Sequence, residues 1–526
     1  VSPHKLLFVG AAALIACALP SAGLARQAAP AAAAPPAASP PADAPGRWLR
    51  AESDHFVVYS DRLEVELRQY VTTLEDFDGI LRLMLPGAGT ETPRKLPVYM
   101  VKNTIQMRRA YPTAGEQLGG FYAHYGDDIF AVAMRSDANR DGGVYDGVLQ
   151  HEYVHHFMLQ YFPNAYPSWL VEGAAEYYAL TDITPRKVVV GMPNQGRSYS
   201  LLNSRWISMS DLLGKRPSAL DREQVGAFYA QSWLLTHYVW SDPGRTAKLT
   251  EYMKLLHAGE DPMTGWTKVY GDDAAGLEKI LRDYLRSRLP GKGITRQPPP
   301  PPAMTVSRMP AGADDLILEI QQLKNGVDGK DAEALLSVIR AAAAKRPDER
   351  YSRVALARAE CEIGDRAAGE KLLRALLVER PDDAEVLQIL GFSLLAGADK
   401  DDKLSHDALK AAYKEAGRVF IKANKADPEN FITLYGYARS RSLEEPSENT
   451  LEVAYRAAEL APQNPNVRFY VAQMFIQAGD YGVARSMLGP IAGDPHGGGG
   501  AKAAASLLKE LEGKTDRPRP KAAAAN

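Results

Sequence analysis

Residues 148–178 read VLQHEYVHHFMLQYFPNAYPSWLVEGAAEYY, and the rest of the chain is organised around them. The run opens on His151-Glu152-Tyr153-Val154-His155, an H-E-x-x-H pattern. Side chains four apart share a helical face, so a helix here points both imidazoles at one spot. Val148, His151, Glu152, His155 and Leu159 form one stripe, no proline interrupts it, and Gly142-Gly143 offers a break before it. Two imidazoles on one face suit a divalent metal, and the glutamate between them can act as a base on a water that the metal activates. Such a centre needs a third protein ligand and one open position. After the turn-rich FPNAYP of residues 162–167, a second helix is expected from Ser168 to Tyr178. It carries Glu172 and Glu176, again four apart. One can bind metal while the other hydrogen-bonds the far nitrogen of a ligand histidine. The small residues Gly173, Ala174 and Ala175 should let the two helices approach closely.

Together these helices resemble the gluzincin metallopeptidases, in which HExxH is followed by a helix of the form W-L-x-E-G-x-A, as in the aminopeptidase N family. Here that helix reads Trp169-Leu170-Val171-Glu172-Gly173-Ala174-Ala175. The resemblance implies an α+β metallopeptidase domain with a mixed sheet, one Zn²⁺ per chain and hydrolysis of peptide bonds. It makes His151, His155 and Glu172 the zinc ligands, Glu152 the general base and Glu176 the carboxylate behind a ligand histidine. Sixteen residues separate His155 from Glu172, a shorter connection than in the best-known members, which leaves Glu176 as an alternative third ligand. Further on, Phe228-Tyr229-Ala230-Gln231-Ser232-Trp233 resembles the Y-x-Q-S-W stretch of related bacterial peptidases. In the aminopeptidase N family a tyrosine downstream of the zinc helices hydrogen-bonds the oxyanion. That role is carried onto Tyr229, with a packed aromatic as the alternative. His237 lies two turns beyond on a similar face, where a core role competes with a cleft role. His156 points about 100° away from His155 and is no ligand candidate. The family's G-A-M-E-N stretch, which grips a free amine, has no equivalent here, so endopeptidase action is favoured over aminopeptidase action.

Upstream, His55–Ser60 and Leu96–Val101 read as strands, and Leu63, Leu67, Tyr70, Val71, Leu74 and Phe77 give a helical stripe between them. Residues 119–124 and 128–134 make a hairpin candidate around Tyr125-Gly126. In gluzincins an edge strand beside the cleft pairs with extended substrate. Ile129–Met134, with Ile129, Phe130, Ala131 and Val132 foremost, is the candidate for that edge, a plain core strand being the alternative.

At 526 residues the chain is too long for one core. A net charge of −2 gives no electrostatic case for nucleic acid or an anionic membrane. Residues 1–25 read as an export signal: His4-Lys5, the apolar run Leu6–Leu19, then Gly23-Leu24-Ala25 as a cleavage site. Leu14-Ile15-Ala16-Cys17 also fits a lipoprotein box, so an anchor at Cys17 is the alternative. The expected place is the periplasm or envelope of a bacterium. Cleavage after Ala25 leaves Cys361 as the single thiol, without an internal disulfide.

Residues 26–46 are almost all alanine and proline and are expected to be a disordered tether. The peptidase-like region then runs over 47–290. Residues 291–311 contain the five prolines 298–302 and are expected to be a polyproline spacer, about 15 Å long in its pure proline part. Residues 312–514 read as an all-α solenoid. Pro347 and Pro381 are 34 apart, as are Pro428 and Pro462, which is the tetratricopeptide (TPR) period. Leu387, Leu390, Gly391 and Leu394 resemble its first helix, and Gly479-Asp480-Tyr481 with Ala484 the turn into its second. The longer spacing from Pro381 to Pro428 implies an insertion near Asp399–Lys403. Such a solenoid offers a groove for a peptide or protein partner, with a lid or packing module as the alternative. A disordered tail is expected from Thr515.

Overall fold

The computed structural model describes residues 44–517 apart from 90, 117, 125–127, 135–146, 194, 288 and 290. The expected signal, Cys17, Gly142-Gly143 and the hairpin turn at Tyr125-Gly126 lie outside these residues. The chain opens with β1 (Pro45–Glu52), β2 (Phe56–Ser60), α1 (Glu64–Met84), β3 (Leu96–Val101), α2 (Thr104–Ala110), β4 (Gly120–Ala123) and β5 (Phe130–Met134). Then come the two metal-motif helices, α3 (Gly147–Tyr161) and α4 (Ser168–Ala179). They are followed by β6 (Asp182–Ile183), β7 (Lys187–Val190), α5 (Gln195–Asn203), α6 (Met209–Gly214), α7 (Arg222–Trp240), α8 (Pro243–His257), α9 (Pro262–Tyr270) and α10 (Ala274–Arg286).

These strands form a mixed six-stranded sheet in the order β4-β5-β3-β2-β1-β9, where β9 is Thr305–Pro310. The β2–β3 and β3–β5 pairs are parallel; β4–β5, β1–β2 and β1–β9 are antiparallel. This order corrects two expectations. The strand β5 has neighbours on both sides, so Phe130–Met134 is interior and β4 is the edge. The presumed spacer is also built into the fold. Its first part, β8 (Lys292–Thr295), pairs with β7, and its end is β9. Between them Pro299–Pro302 line a groove with Ile80 and Leu83 of α1. With strands at both of its ends, this mostly exposed run borders the body and does not stand as a free spacer. The tether likewise ends in structure, because β1 begins at Pro45.

The array α11 (Ala313–Asn325) to α21 (Gly499–Glu510) follows as helical hairpins. Pro347, Pro381, Pro428 and Pro462 all fall in turns between helices. The longer repeat arises because α15 (Ala384–Lys400) and α16 (His406–Ala426) are both extended. Gly391 lets them close: a Cβ there would stand 2.6 Å from the Phe420 ring. The array starts on the body, where Arg109 of α2 pairs with Glu319 at 2.6 Å and Ala313, Ile317 and Leu318 join the Trp48 cluster. It returns to the body at its far end. One continuous core takes in Trp169, Trp233 and Trp266 together with Phe431, Phe469, Leu488 and Leu511. Residues 515–517 are held rather than loose: Arg517 N donates to Gly479 O at 2.9 Å and Asp516 accepts from Gly482 N at 2.8 Å. Among the described residues no helix is long and apolar enough to cross a membrane.

Candidate metal centre

Helix α3 turns His151 and His155 to the same side, and their Nε2 atoms are 3.1 Å apart. Helix α4 brings Glu172 Oε2 to 3.4 Å from His151 Nε2 and 3.5 Å from His155 Nε2. Donors about 2.0–2.1 Å from a tetrahedral zinc are separated by about 3.4 Å, so these three atoms stand where three corners should be. All three residues are buried, Glu172 completely. Neither oxygen of Glu172 completes a hydrogen bond of good geometry. A fully buried carboxylate in that state is costly unless a cation compensates it, and the residues therefore fit a divalent metal. Burial pulls the Glu172 carboxyl up, but the surrounding imidazoles outweigh it and hold the group well below its ordinary value. His151 is pulled down by burial and carried above its ordinary value by Glu172, Glu176 and Glu152. Glu152 sits half-buried on the same helix beside His151.

The geometry separates the two glutamates of α4. Glu176 faces the outward nitrogen of His151, with Oε1 3.6 Å from Nδ1, beyond hydrogen-bond length. Both its oxygens accept from Arg197 on α5, at 2.5 and 3.0 Å. Its carboxylate is thus held behind the histidine and does not join the cluster. The Arg197 guanidinium also lies over the Tyr229 ring, 4.9 Å from its centroid. Tyr229 is buried, with its ring 6.4 Å from that of His151. Burial, with Glu172 adding to it, pushes its hydroxyl well above the usual phenol value, so it stays a neutral donor.

Helix α7 shows why the residues around Tyr229 take their form. The Gln231 amide clamps the backbone of Ile207, accepting from N at 2.9 Å and donating to O at 3.1 Å. Ser232 and Thr236 lie against Gly173 of α4, where an added Cβ would fall 2.4 Å from Ser232 O and 2.1 Å from Thr236 Oγ1. The small residue at 173 therefore serves the contact with α7, a correction to its expected role between α3 and α4. His237 is a core residue, with Nδ1 2.8 Å from Tyr284 Oη. His156 points to the edge strand instead of the metal position: its Nδ1 lies 2.9 Å from Tyr122 Oη of β4, and burial pushes the imidazole down to about 3.

Sequence reading missed two residues. Arg197 sits on a helix after a loop rich in turn formers, where nothing marks it. His496 lies between α20 (Tyr481–Gly493) and α21, in the array, and its Nε2 stands 2.7 Å from Glu172 Oε1. Its ring is edge-on to His155, with centroids 5.8 Å apart. It is not one of the three residues whose donor atoms lie within 4.8 Å of one another.

No protein-family model matches the chain, and no curated protein does. Solved structures similar to part of it include the thermophilic TPR protein TTC0263 of Thermus thermophilus, 17% identical. That match covers 38% of this chain and 100% of that one, with a TM-score of 0.33. MamA 41-end from Desulfovibrio magneticus RS-1 is 15% identical over 38% of this chain and 97% of its own, with a TM-score of 0.26. These likenesses add nothing to the helical-hairpin array described above.

Proposed function

We propose that this chain is an exported zinc metallopeptidase that hydrolyses peptide bonds within a polypeptide, with the helical array recruiting the substrate or a protein partner. The observation that carries the reading is the convergence of Glu172 Oε2 on both imidazole Nε2 atoms, with Glu152 beside them. His151, His155 and Glu172 would hold the ion. A zinc ion there supplies Lewis acidity towards a carbonyl and lowers the pKa of water. Glu152 accepts a proton from the attacking water and delivers it to the leaving amine. Tyr229, neutral and beside His151, donates to the developing oxyanion. Arg197 keeps Glu176 in place behind His151. The edge strand β4, tied to α3 through Tyr122 and His156, takes the peptide-pairing role that the sequence placed on β5. Export rests on the stretch from His4 to Ala25, with lipidation at Cys17 as the variant form.

The test is a Glu152→Gln variant of the full chain, compared with the parent in a peptide-library digest and by elemental analysis. The proposal expects about one zinc in each and cleavage by the parent alone. Equal cleavage by both would sink the base role. A second reading, a scaffold with an unused centre, is favoured by the eleven helices of the array and by the close cover that His496 puts over Glu172. It predicts no cleavage by the parent despite bound metal.

A further inference from the structure

We propose that His496 is a positioning residue of the metal centre, by which the helical array holds the outer oxygen of Glu172. The inference rests on the metal-centre reading above and adds to it a residue from the other end of the chain. A carboxylate that turns Oε2 towards two imidazoles leaves Oε1 facing the other way, and in a fully buried glutamate that oxygen needs a partner. His496 Nε2 lies 2.7 Å from it, the length of a charge-assisted hydrogen bond, although bent from hydrogen-bond geometry.

The loop that carries His496 is fixed from both sides. Asp494 Oδ1 accepts from His496 N at 2.8 Å, which sets the turn. Arg216 of the body donates to Ala492 O and, at 3.4 Å, to Gly497 O, gripping the loop before and after the histidine. Gly493 packs on the α3–α4 connection, where a Cβ would meet Tyr166 O at 3.2 Å and Ala165 Cα at 3.3 Å. Gln463 donates to Gln160 of α3 at 2.6 Å. The array is therefore docked on the segment that spaces His155 from Glu172, and His496 reaches past it to the carboxylate. It meets Glu172 at Oε1 while both α3 imidazoles face Oε2, so it stands behind the third ligand as a holder.

The test is zinc affinity of the apo full-length chain, measured by competition with a chelating indicator. His496→Ala should bind zinc about 10- to 100-fold more weakly. His496→Gln, whose amide can donate to the same oxygen but is a poor zinc ligand, should restore most of that loss. Arg216→Ala frees the loop without touching the site and should shift affinity in the same direction, so the proposal stays decidable if His496→Ala folds badly. Unchanged affinity in both alanine variants overturns the proposal. So does a glutamine variant as weak as the alanine one, since that marks a direct ligand. A parent that binds no zinc overturns the metal centre and this role with it, whereas a zinc-binding parent matched by its variants overturns this role alone.

Discussion

Two regions supply imidazoles to the same carboxylate, and they do so by opposite means. Helix α3 pairs His151 with His155 through local periodicity, and the next helix, α4, brings Glu172 to them across a short connection. The 494–497 turn places His496 at Glu172 Oε1 only because ten helices carry the chain out from α2 and back to the α3–α4 connection. In the first region the donors are close because two sit one turn apart on a helix and the third is on the helix that follows. In the second they are close because the far end of the array is docked back on the body beside the α3–α4 connection. The body owns the donor atoms, while the array helps decide how firmly they are held.

The largest effect should come from within the first region. Glu152→Gln is expected to lower peptide turnover by about 10²- to 10⁴-fold while zinc content stays the same. Turnover kinetics and elemental analysis read the two quantities separately, and loss of zinc in this variant would mean that Glu152 is part of the binding set. Removing the metal acts on both regions at once. A chelator should lower the melting temperature of the chain, by up to about 4 kcal/mol of stability if free zinc stands a thousandfold above Kd. A melting curve indifferent to chelator would argue against zinc at the buried Glu172.

A smaller effect is expected where α4 is seated. Gly173→Ala forces a Cβ to within 2.4 Å of a backbone oxygen on α7, which a side-chain rotation cannot relieve. It should cost about 1–3 kcal/mol by denaturant titration, and a neutral outcome would mean that α4 and α7 are not in register as described. The smallest concerns the seam at which the array begins. Asp128 pairs with Arg94 of the body and, at 2.9 Å, with Lys324 of α11. Burial raises its carboxyl, but Lys324 and Arg94 prevail and hold it down at about 2, against 3.8 in the unfolded chain. A depressed carboxyl contributes stability above its unfolded value and loses it as pH falls through the folded one. Asp128→Asn should therefore cost on the order of 2 kcal/mol at pH 7, and the gap to the parent should close between about pH 4 and 2. A gap that is constant with pH would show that the charge of Asp128 plays no part.

Where the sequence reading failed, the misses share a physical cause. The hairpin pattern marks residues 128–134 as a strand, yet nothing along the chain says which strands flank it, and the edge role rests on the resemblance alone. Five prolines announce a spacer, because composition reports what a segment cannot pair with and not which strands will hold its ends. Gly173 was legible as a close approach, but its partner, α7, begins 49 residues later. The array's prolines and Gly391 were readable because repeats restate the same turn and the same packing contact.

The order of amino acids alone dictates which side chains can meet on one helical face: His151 with His155, and Glu172 with Glu176. The 3.6-residue period is a property of the backbone and requires no partner. It took the packed fold to turn Glu172 to the imidazoles and give Glu176 to Arg197, and to close a histidine more than three hundred residues downstream on Glu172. Those choices depend on how packed helices are rotated and on where a long array ends, and no local pattern in the chain encodes either.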